Sequence, residues 1–289
     1  MLAELSPAIL EKPDEVGSSC GRAQPFLRWA GGKRQLVPAL LSHLPHDVVR
    51  MPYFEPFLGA GSLFFAVQPS GAVLGDANTQ LIETYRALRD DPDGVRDELA
   101  RLIGQHSKEH YYAVRATYNV GQSSCSQAAR FIYLNKTCFN GIFRVNTSGQ
   151  FNVPKGGKDK LAMPSEEEYS LVSKSLSNSR LLAASYTETL SLAGCGSFAY
   201  LDPPYPPLNE TAYFTHYTSD RFGHESQEAL AEEVRKLHNR GVYFLMSNAD
   251  TPVIRELYSG FVQESISVQR YVSCKGKRLR VSELLIWNY

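Results

Sequence analysis

Asp202-Pro203-Pro204-Tyr205 follows the apolar run Ser197-Phe198-Ala199-Tyr200-Leu201. Two consecutive prolines fix φ and remove two backbone donors. What the turn offers is therefore acceptors: the Asp202 carboxylate and the Pro203 carbonyl. Such a pair suits a planar amino group presenting two N–H hydrogens, and Tyr205 supplies a face on which its ring can stack. A ring-bound amino nitrogen is a poor nucleophile because its lone pair is delocalised. Accepting both hydrogens favours the pyramidal form and frees the lone pair. Fixed acceptors then stabilise the positive charge of attack more than the ground state. The alternative, a plain proline-rich loop, leaves both the buried strand before the turn and the tyrosine after it unexplained.

Two glycine elements lie far upstream. Glu55-Pro56-Phe57-Leu58-Gly59-Ala60-Gly61 separates a short apolar run from another, and Asp76 ends the next such run. Glycines there let backbone approach a ligand closely, and an acid at that position can accept hydrogen bonds from both hydroxyls of a ribose. A tight strand–helix turn followed by a helix-capping Asp remains the competing explanation. There is no third glycine at dinucleotide spacing and no phosphate-loop lysine, which favours an adenosine-bearing ligand without a pyrophosphate. Earlier still comes Phe26-Leu27-Arg28-Trp29-Ala30-Gly31-Gly32-Lys33. Gly31 and Gly32 before a helix would aim backbone N–H groups at a carboxylate. Lys33 would add positive charge and Trp29 a flat face. A basic turn with one core Trp is the alternative.

Elements must position these groups. Residues 33–44 read as a helix with Pro38 near its first turn. Residues 52–61 read as a short strand running into the glycine turn, 71–78 as another short strand with an acid at its end, 197–202 and 242–248 as buried strands, and Ser62–Val67 as the helix after the glycine loop. Asn78 reads as the N-cap of the next helix. Val95, Leu99, Leu102 and Ile103 mark an amphipathic helix, as do Leu230, Val234 and Leu237. A helix is expected over 126–135 and another starting at Glu166-Glu167-Glu168. Residues 137–160 read as an ordered loop or hairpin, and the C-terminal stretch as two strands joined by a basic turn at Lys275–Lys277. Strand–helix alternation at both ends predicts an open, mostly parallel α/β sheet with an antiparallel hairpin at one edge. Residues 86–179, helical and loop-rich, break that alternation as an inserted module. Residues 1–25 read as a loose tail.

The composition excludes several classes. The 289 residues are 43% hydrophobic and 21% charged, ordinary for a globular protein. Lys+Arg equals Asp+Glu at 30 each, which argues against coating nucleic acid by bulk charge. Charge is nonetheless clustered. Arg130, Lys136, Arg144, Lys155, Lys158 and Lys160 face one acid, Asp159, over 126–160. Arg270, Lys275, Lys277, Arg278 and Arg280 precede Glu283. Two basic patches on a neutral chain suit a phosphate-tracking cleft, and two solvated loops are the alternative. Five scattered cysteines without a CxxC argue against a disulfide framework or zinc site and fit a reducing, cytoplasmic setting. Cys138 reads as a buried apolar group rather than a nucleophile. His106 and His110, at i, i+4 with no third ligand, read as a helix surface, so no metal is expected. No run approaches the ~20 apolar residues of a membrane helix, and the first residues lack the pattern of a signal peptide.

In order, FLRWAGGK, EPFLGAG, Asp76 and DPPY resemble the Dam-type (class alpha, D12) S-adenosylmethionine-dependent DNA adenine-N6 methyltransferases. Leu134–Asn146, Gln150–Pro154, Ser247–Thr251 and Ser282–Leu285 match as well, so the resemblance spans about Phe26 to Trp287. It implies a Rossmann-like seven-stranded methyltransferase sheet, with a catalytic domain made of 26–85 and 180–289. It makes 86–179 a target-recognition domain that binds DNA.

The resemblance also implies roles. Asp202, Pro203, Pro204 and Tyr205 would carry catalysis on an adenine swung out of the duplex. Trp29, Lys33, Asp76 and Asp202 would contact S-adenosylmethionine, with Gly31, Gly32, Phe57, Gly59 and Gly61 shaping its pocket. Phe139 and Asn140 match a pair inserted into the duplex, Phe139 standing where some members carry Tyr. Arg144 matches a guanine-reading Arg. Ile142 and Pro154 match positions meeting a thymine methyl, and Arg28 matches a Lys near the first base. Lys155 and Lys158 join them on the DNA side. The expected partner is double-stranded DNA, with GATC as the site, a cognate restriction endonuclease as a further partner, and a monomer in solution. An N4-cytosine or RNA methyltransferase is the competing enzyme, although cytosine enzymes more often carry Ser in place of Asp202. A non-catalytic DNA-binding relative is the other alternative.

Overall fold

A computed structural model of the chain describes residues 21–120, 124–157, 165–205, 222–271 and 278–289. Lys158, Lys160, Lys275, Lys277, Cys20, Cys274 and most of the N-terminal span lie outside the described residues, as do the side chains of Arg270, Arg278 and Arg280. Ala23, inside the span read as tail, is already buried in the core.

Seven strands form one sheet in the order β3-β2-β1-β4-β5-β7-β6. They are β1 (Tyr53–Glu55), β2 (Ala72–Asp76), β3 (Ser179–Ala183), β4 (Phe198–Leu201), β5 (Tyr243–Ala249), β6 (Val262–Tyr271) and β7 (Arg278–Trp287). The first five run parallel, and β7 is antiparallel to both β5 and β6. The chain moves outward from β1 in one direction to β2 and β3, and in the other to β4 and β5. This reversal opens a crevice beyond the carboxyl ends of β1 and β4, where open α/β sheets bind ligands.

The ten helices among the described residues are α1 (Val37–Ser42), α2 (Ser62–Val67), α3 (Thr79–Asp90), α4 (Pro92–Gly104), α5 (Lys108–Tyr118), α6 (Ser124–Thr137), α7 (Glu166–Leu176), α8 (Tyr186–Ser191), α9 (His224–Asn239) and α10 (Pro252–Leu257). Strand side chains alternate between two apolar layers, as a period of two requires. Phe198, Tyr200, Leu245 and Leu285 enter one layer, while Ala199, Leu201, Phe244, Met246, Leu284 and Ile286 enter the other. The second layer is closed by the stripe Leu230, Ala231, Val234 and Leu237 of α9. The first continues without a break into Leu88, Val95, Leu99, Tyr111, Val114 and Ile132 of the helices between β2 and β3. There α6 is buried nearly all round, from Ala128 to Asn135, packed by α3, α4 and α5. The expected limits at 85/86 and 179/180 fall inside α3 and β3.

One element differs from expectation at a place that matters. The helix expected over 33–44 spans only Val37–Ser42, with Pro38 in its second position. Proline lacks the N–H that a longer helix would need there and would clash with the carbonyl four residues earlier, so the helix starts just ahead of it. Gly31 and Gly32 therefore precede the helix by a turn rather than capping it, and Gly32 N–H donates to the Trp29 carbonyl. Among the described residues no helix is long and apolar enough to cross a membrane.

Candidate active site

The crevice holds a cavity of about 1080 Å³, just above the roughly 300–1,000 Å³ usual for a ligand site. Its walls include Trp29, Glu55, Phe57, Gly59, Asp76, Tyr186, Asp202, Tyr205 and Phe222. The glycine loop forms the floor. Gly59 has φ +48°, and a Cβ there would lie 2.7 Å from the Trp29 ring, so loop and indole fit only without a side chain. Asp76 is fixed against this loop: Gly59 N–H donates to its Oδ2 at 3.0 Å and Asn78 N–H to its Oδ1 at 2.8 Å. Each oxygen keeps a free lone pair for a hydroxyl donor. Burial raises the Asp76 carboxyl while these two bonds lower it. Phe57 stacks on Tyr186 at 5.4 Å and meets Phe222 edge-on at 5.9 Å, an aromatic wall on the same side. Trp29 stacks on Phe131 and Phe143, which joins the first glycine element to the helical segment.

The turn at 202–205 is held by groups from distant parts of the chain. Lys33, only 5% exposed, places Nζ 2.7 Å from Asp202 Oδ1, donates to the Gly31 carbonyl, and lies 4.5 Å from the Tyr205 ring centre. Its ammonium thus bridges the first glycine element and the 202–205 turn. Ser247 of β5 also donates to Asp202 Oδ1, at 2.9 Å, and Tyr200 lies 3.0 Å from the Ser247 hydroxyl. Tyr205 donates to Glu283 of β7 at 2.8 Å. Among the described residues nothing donates to Asp202 Oδ2 or to the Pro203 carbonyl. The two acceptors that a planar amino group requires are open, while the other carboxylate oxygen is tied. Burial pushes the Asp202 carboxyl up, and Lys33 beside it pulls it back down.

Glu55, at the end of β1, also lines the cavity. It is buried, accepts the Tyr53 hydroxyl at 2.8 Å, and burial pushes it up to about 8. The sequence reading gave no role to Glu55, Ser247 or Glu283. A buried acid in an apolar strand is the signal that could have raised Glu55. The partners of Ser247 and Glu283 are too distant in sequence to be read there.

The residues expected to meet DNA gather around the end of α6. Asn135 pins the Arg28 backbone through both ends of its amide: Oδ1 accepts from Arg28 N–H at 2.8 Å and Nδ2 donates to Arg28 O at 2.7 Å. Gly141 then packs on the Arg28 side chain; a Cβ there would lie 2.6 Å from Arg28 Cδ. Phe139 N–H donates to Pro154 O at 2.9 Å, and Cys138 bridges to Lys155. Phe139 is 48% and Ile142 40% exposed, unusual for apolar side chains on a stiff loop. Arg144 is exposed and donates through Nε to Asn152 Oδ1 at 2.8 Å, a bond that does not occupy its terminal nitrogens. Cys138 is buried and its thiol is pushed up to about 11, so it stays protonated and inert. His106 precedes α5 rather than riding on it, and both it and His110 pack against Tyr133.

An α/β sheet with this crevice and this acceptor-rich turn defines a methyltransferase acting on an amino group of a flat ring. Residues 29–273 match the family model of the D12 class N6 adenine-specific DNA methyltransferases, and the chain belongs to that family. It is 37% identical over 264 residues to a DNA adenine methylase of Vibrio cholerae serotype O1, covering 90% of this chain and 94% of that one. Against the DNA adenine methylase of Escherichia coli (strain K12) the identity is 36% over 263 residues, covering 90% and 93%. Against the type II methyltransferase M1.LlaDCHI of Lactococcus lactis subsp. cremoris it is 35% over 273 residues, covering 92% and 95%. The protein is a DNA methyltransferase specific for adenine.

Proposed function

We propose that this enzyme binds S-adenosylmethionine in the crevice and methylates N6 of an adenine flipped out of duplex DNA, within GATC. The observation that carries the reading is the open pair at the corner, Asp202 Oδ2 and the Pro203 carbonyl, beside a carboxylate oxygen already held by Lys33 and Ser247. The residues present fit the cofactor: a side-chain-free floor at Gly59, a pinned acid at Asp76 for ribose hydroxyls, and aromatic walls at Trp29, Phe57 and Tyr186. Gly31 and Gly32 also line the cavity, while Gly61, at φ +65°, supports the floor from behind as the N-cap of α2. When bound, S-adenosylmethionine supplies an electrophilic methyl group.

The chain's own residues do the rest. Tyr205 carries the flipped base on its ring. Asp202 Oδ2 and the Pro203 carbonyl accept its two N–H hydrogens and localise the lone pair on nitrogen. Pro204, with Pro203, keeps donors out of the turn. As positive charge develops, the fixed acceptors stabilise it without reorganising, and Asp202 Oδ2 is placed to take the proton that leaves. Phe139 and Asn140 fill the gap in the duplex. Arg144 reads guanine with its free fork, and Ile142 and Pro154 meet a thymine methyl. Arg28 touches the first base, and Lys155 and Lys158 neutralise phosphates. The span 86–179 acts as the target-recognition domain.

The GATC assignment rests on Arg144, Ile142 and Pro154. Expressing the chain in cells devoid of adenine methylation and sequencing their DNA for modified adenines tests it. Methylation confined to GATC supports the reading, and another consensus replaces it. The type II name of the lactococcal relative supports a partner endonuclease, checked by seeking a nuclease whose cleavage this methylation blocks.

A further inference from the structure

The turn at 202–205 has few soft torsions. The rings of Pro203 and Pro204 fix φ at both residues. A following proline restricts the backbone of Asp202 and of Pro203 to extended conformations. Pro204 is not followed by a proline, so its ψ is the one unrestricted backbone torsion between the Cα atoms of Asp202 and Tyr205; φ of Tyr205 and its side-chain torsions, the latter anchored by the bond to Glu283, then place the ring. That ψ sets where the Pro204 carbonyl points, and this carbonyl accepts a hydrogen bond from Gln227 Nε2 at 3.1 Å.

Gln227 is an unusual residue for its place. It lies on the core-facing stripe of α9, three residues before Leu230, and is 1% exposed among apolar neighbours. A buried amide can present either its oxygen or its nitrogen. Asn248 decides which: its Nδ2 donates to Gln227 Oε1 at 3.0 Å, and its own Oδ1 is taken by Ala249 N–H at 2.8 Å. The chain Ala249 N–H, Asn248, Gln227, Pro204 carbonyl therefore runs in one direction, each link a donor to the next. Ser247 and Asn248, adjacent on β5, face opposite sides of the sheet. One ties Asp202 and the other, through Gln227, ties Pro204.

We infer that Gln227, oriented by Asn248, is a positioning residue for methyl transfer: it sets the free ψ of Pro204 and so where the Tyr205 backbone, and the ring it carries, sit relative to the open acceptors. The inference rests on the reading that this turn grips the target amino group.

Gln227→Met removes the donor at little change of volume. Asn248→Asp keeps Gln227 in place but draws its Nε2 toward the new carboxylate and away from Pro204. Single-turnover methylation of an adenine duplex is measured at saturating duplex and S-adenosylmethionine, at a temperature where circular dichroism shows each variant folded. Each variant is expected to slow about tenfold, with the Kd of duplex and of cofactor within about twofold of wild type. The double variant is expected to be no slower than the worse single one, because both break the same chain. A wild-type rate in either folded variant, or a loss confined to Kd, would overturn the inference. A failure of the wild-type protein to methylate adenine would strike the site reading itself instead.

Discussion

At the 202–205 corner the side chains are tied and two oxygens are left open; in the 138–155 loop the backbone is tied and the apolar side chains of Phe139, Ile142 and Pro154 are left facing solvent. Lys33, Ser247, Glu283 and Gln227 each occupy a polar atom of the corner. In the loop the bonds run from Phe139 N–H to Pro154 O, from Asn152 N–H to Arg144 O and from Gly156 N–H to Thr137 O, while Phe139, Ile142 and Pro154 face solvent. On the proposed function the difference follows from two tasks. Stabilising a developing charge needs acceptors that do not reorganise, so their neighbours must be satisfied within the protein. Reading a duplex needs side chains whose partners arrive with the DNA, so only the frame beneath them is fixed.

If this contrast is right, damage at the corner slows chemistry and damage in the loop changes which sequence is bound. The largest effect is expected from Asp202→Asn. Single-turnover methylation should fall about 10²–10³-fold, with duplex affinity nearly unchanged. A matching loss of affinity would erase the distinction. Lys33→Met comes next. Burial already raises the Asp202 carboxyl and Lys33 opposes it, so without the ammonium the carboxylate forms only at higher pH. Activity near pH 7 should drop about 10–100-fold and recover as pH rises. A pH–rate profile whose acid limb stays put would show that Lys33 does not govern Asp202. The smallest effect on chemistry is expected from Arg144→Ala. The rate at saturating duplex should stay near wild type, while discrimination at one guanine weakens by about 1–3 kcal/mol. Competition between duplexes changed at single base pairs measures it.

Much of this was legible in the chain. Ser62–Val67 forms the expected helix after the glycine loop, Asn78 caps α3 through its side chain, and Leu230, Val234 and Leu237 do line the buried face of α9. β3 escaped because Ser179 and Arg180 interrupt its apolar pattern, and its burial comes from β2 and α3 rather than from composition. α5 was legible only through the helical spacing of His106 and His110, and its extent escaped because it buries Tyr111, Val114 and Tyr118, aromatic and β-branched residues that read equally well as strand. The corner's acceptors could be read from four adjacent residues. Its supports could not: Ser247 is 45 residues from Asp202, and Glu283 is 78 from Tyr205. Gln227 stands on the very stripe that predicted α9, and its buried amide becomes meaningful only when the turn it faces is known.

A structure of the enzyme with a duplex and S-adenosylhomocysteine tests the central claim most directly. The account predicts the target adenine outside the helix, its ring on Tyr205, and its N6 within about 3 Å of both Asp202 Oδ2 and the Pro203 carbonyl. An adenine left in the stack, or an N6 facing other acceptors with Asp202 Oδ2 still open, would contradict it.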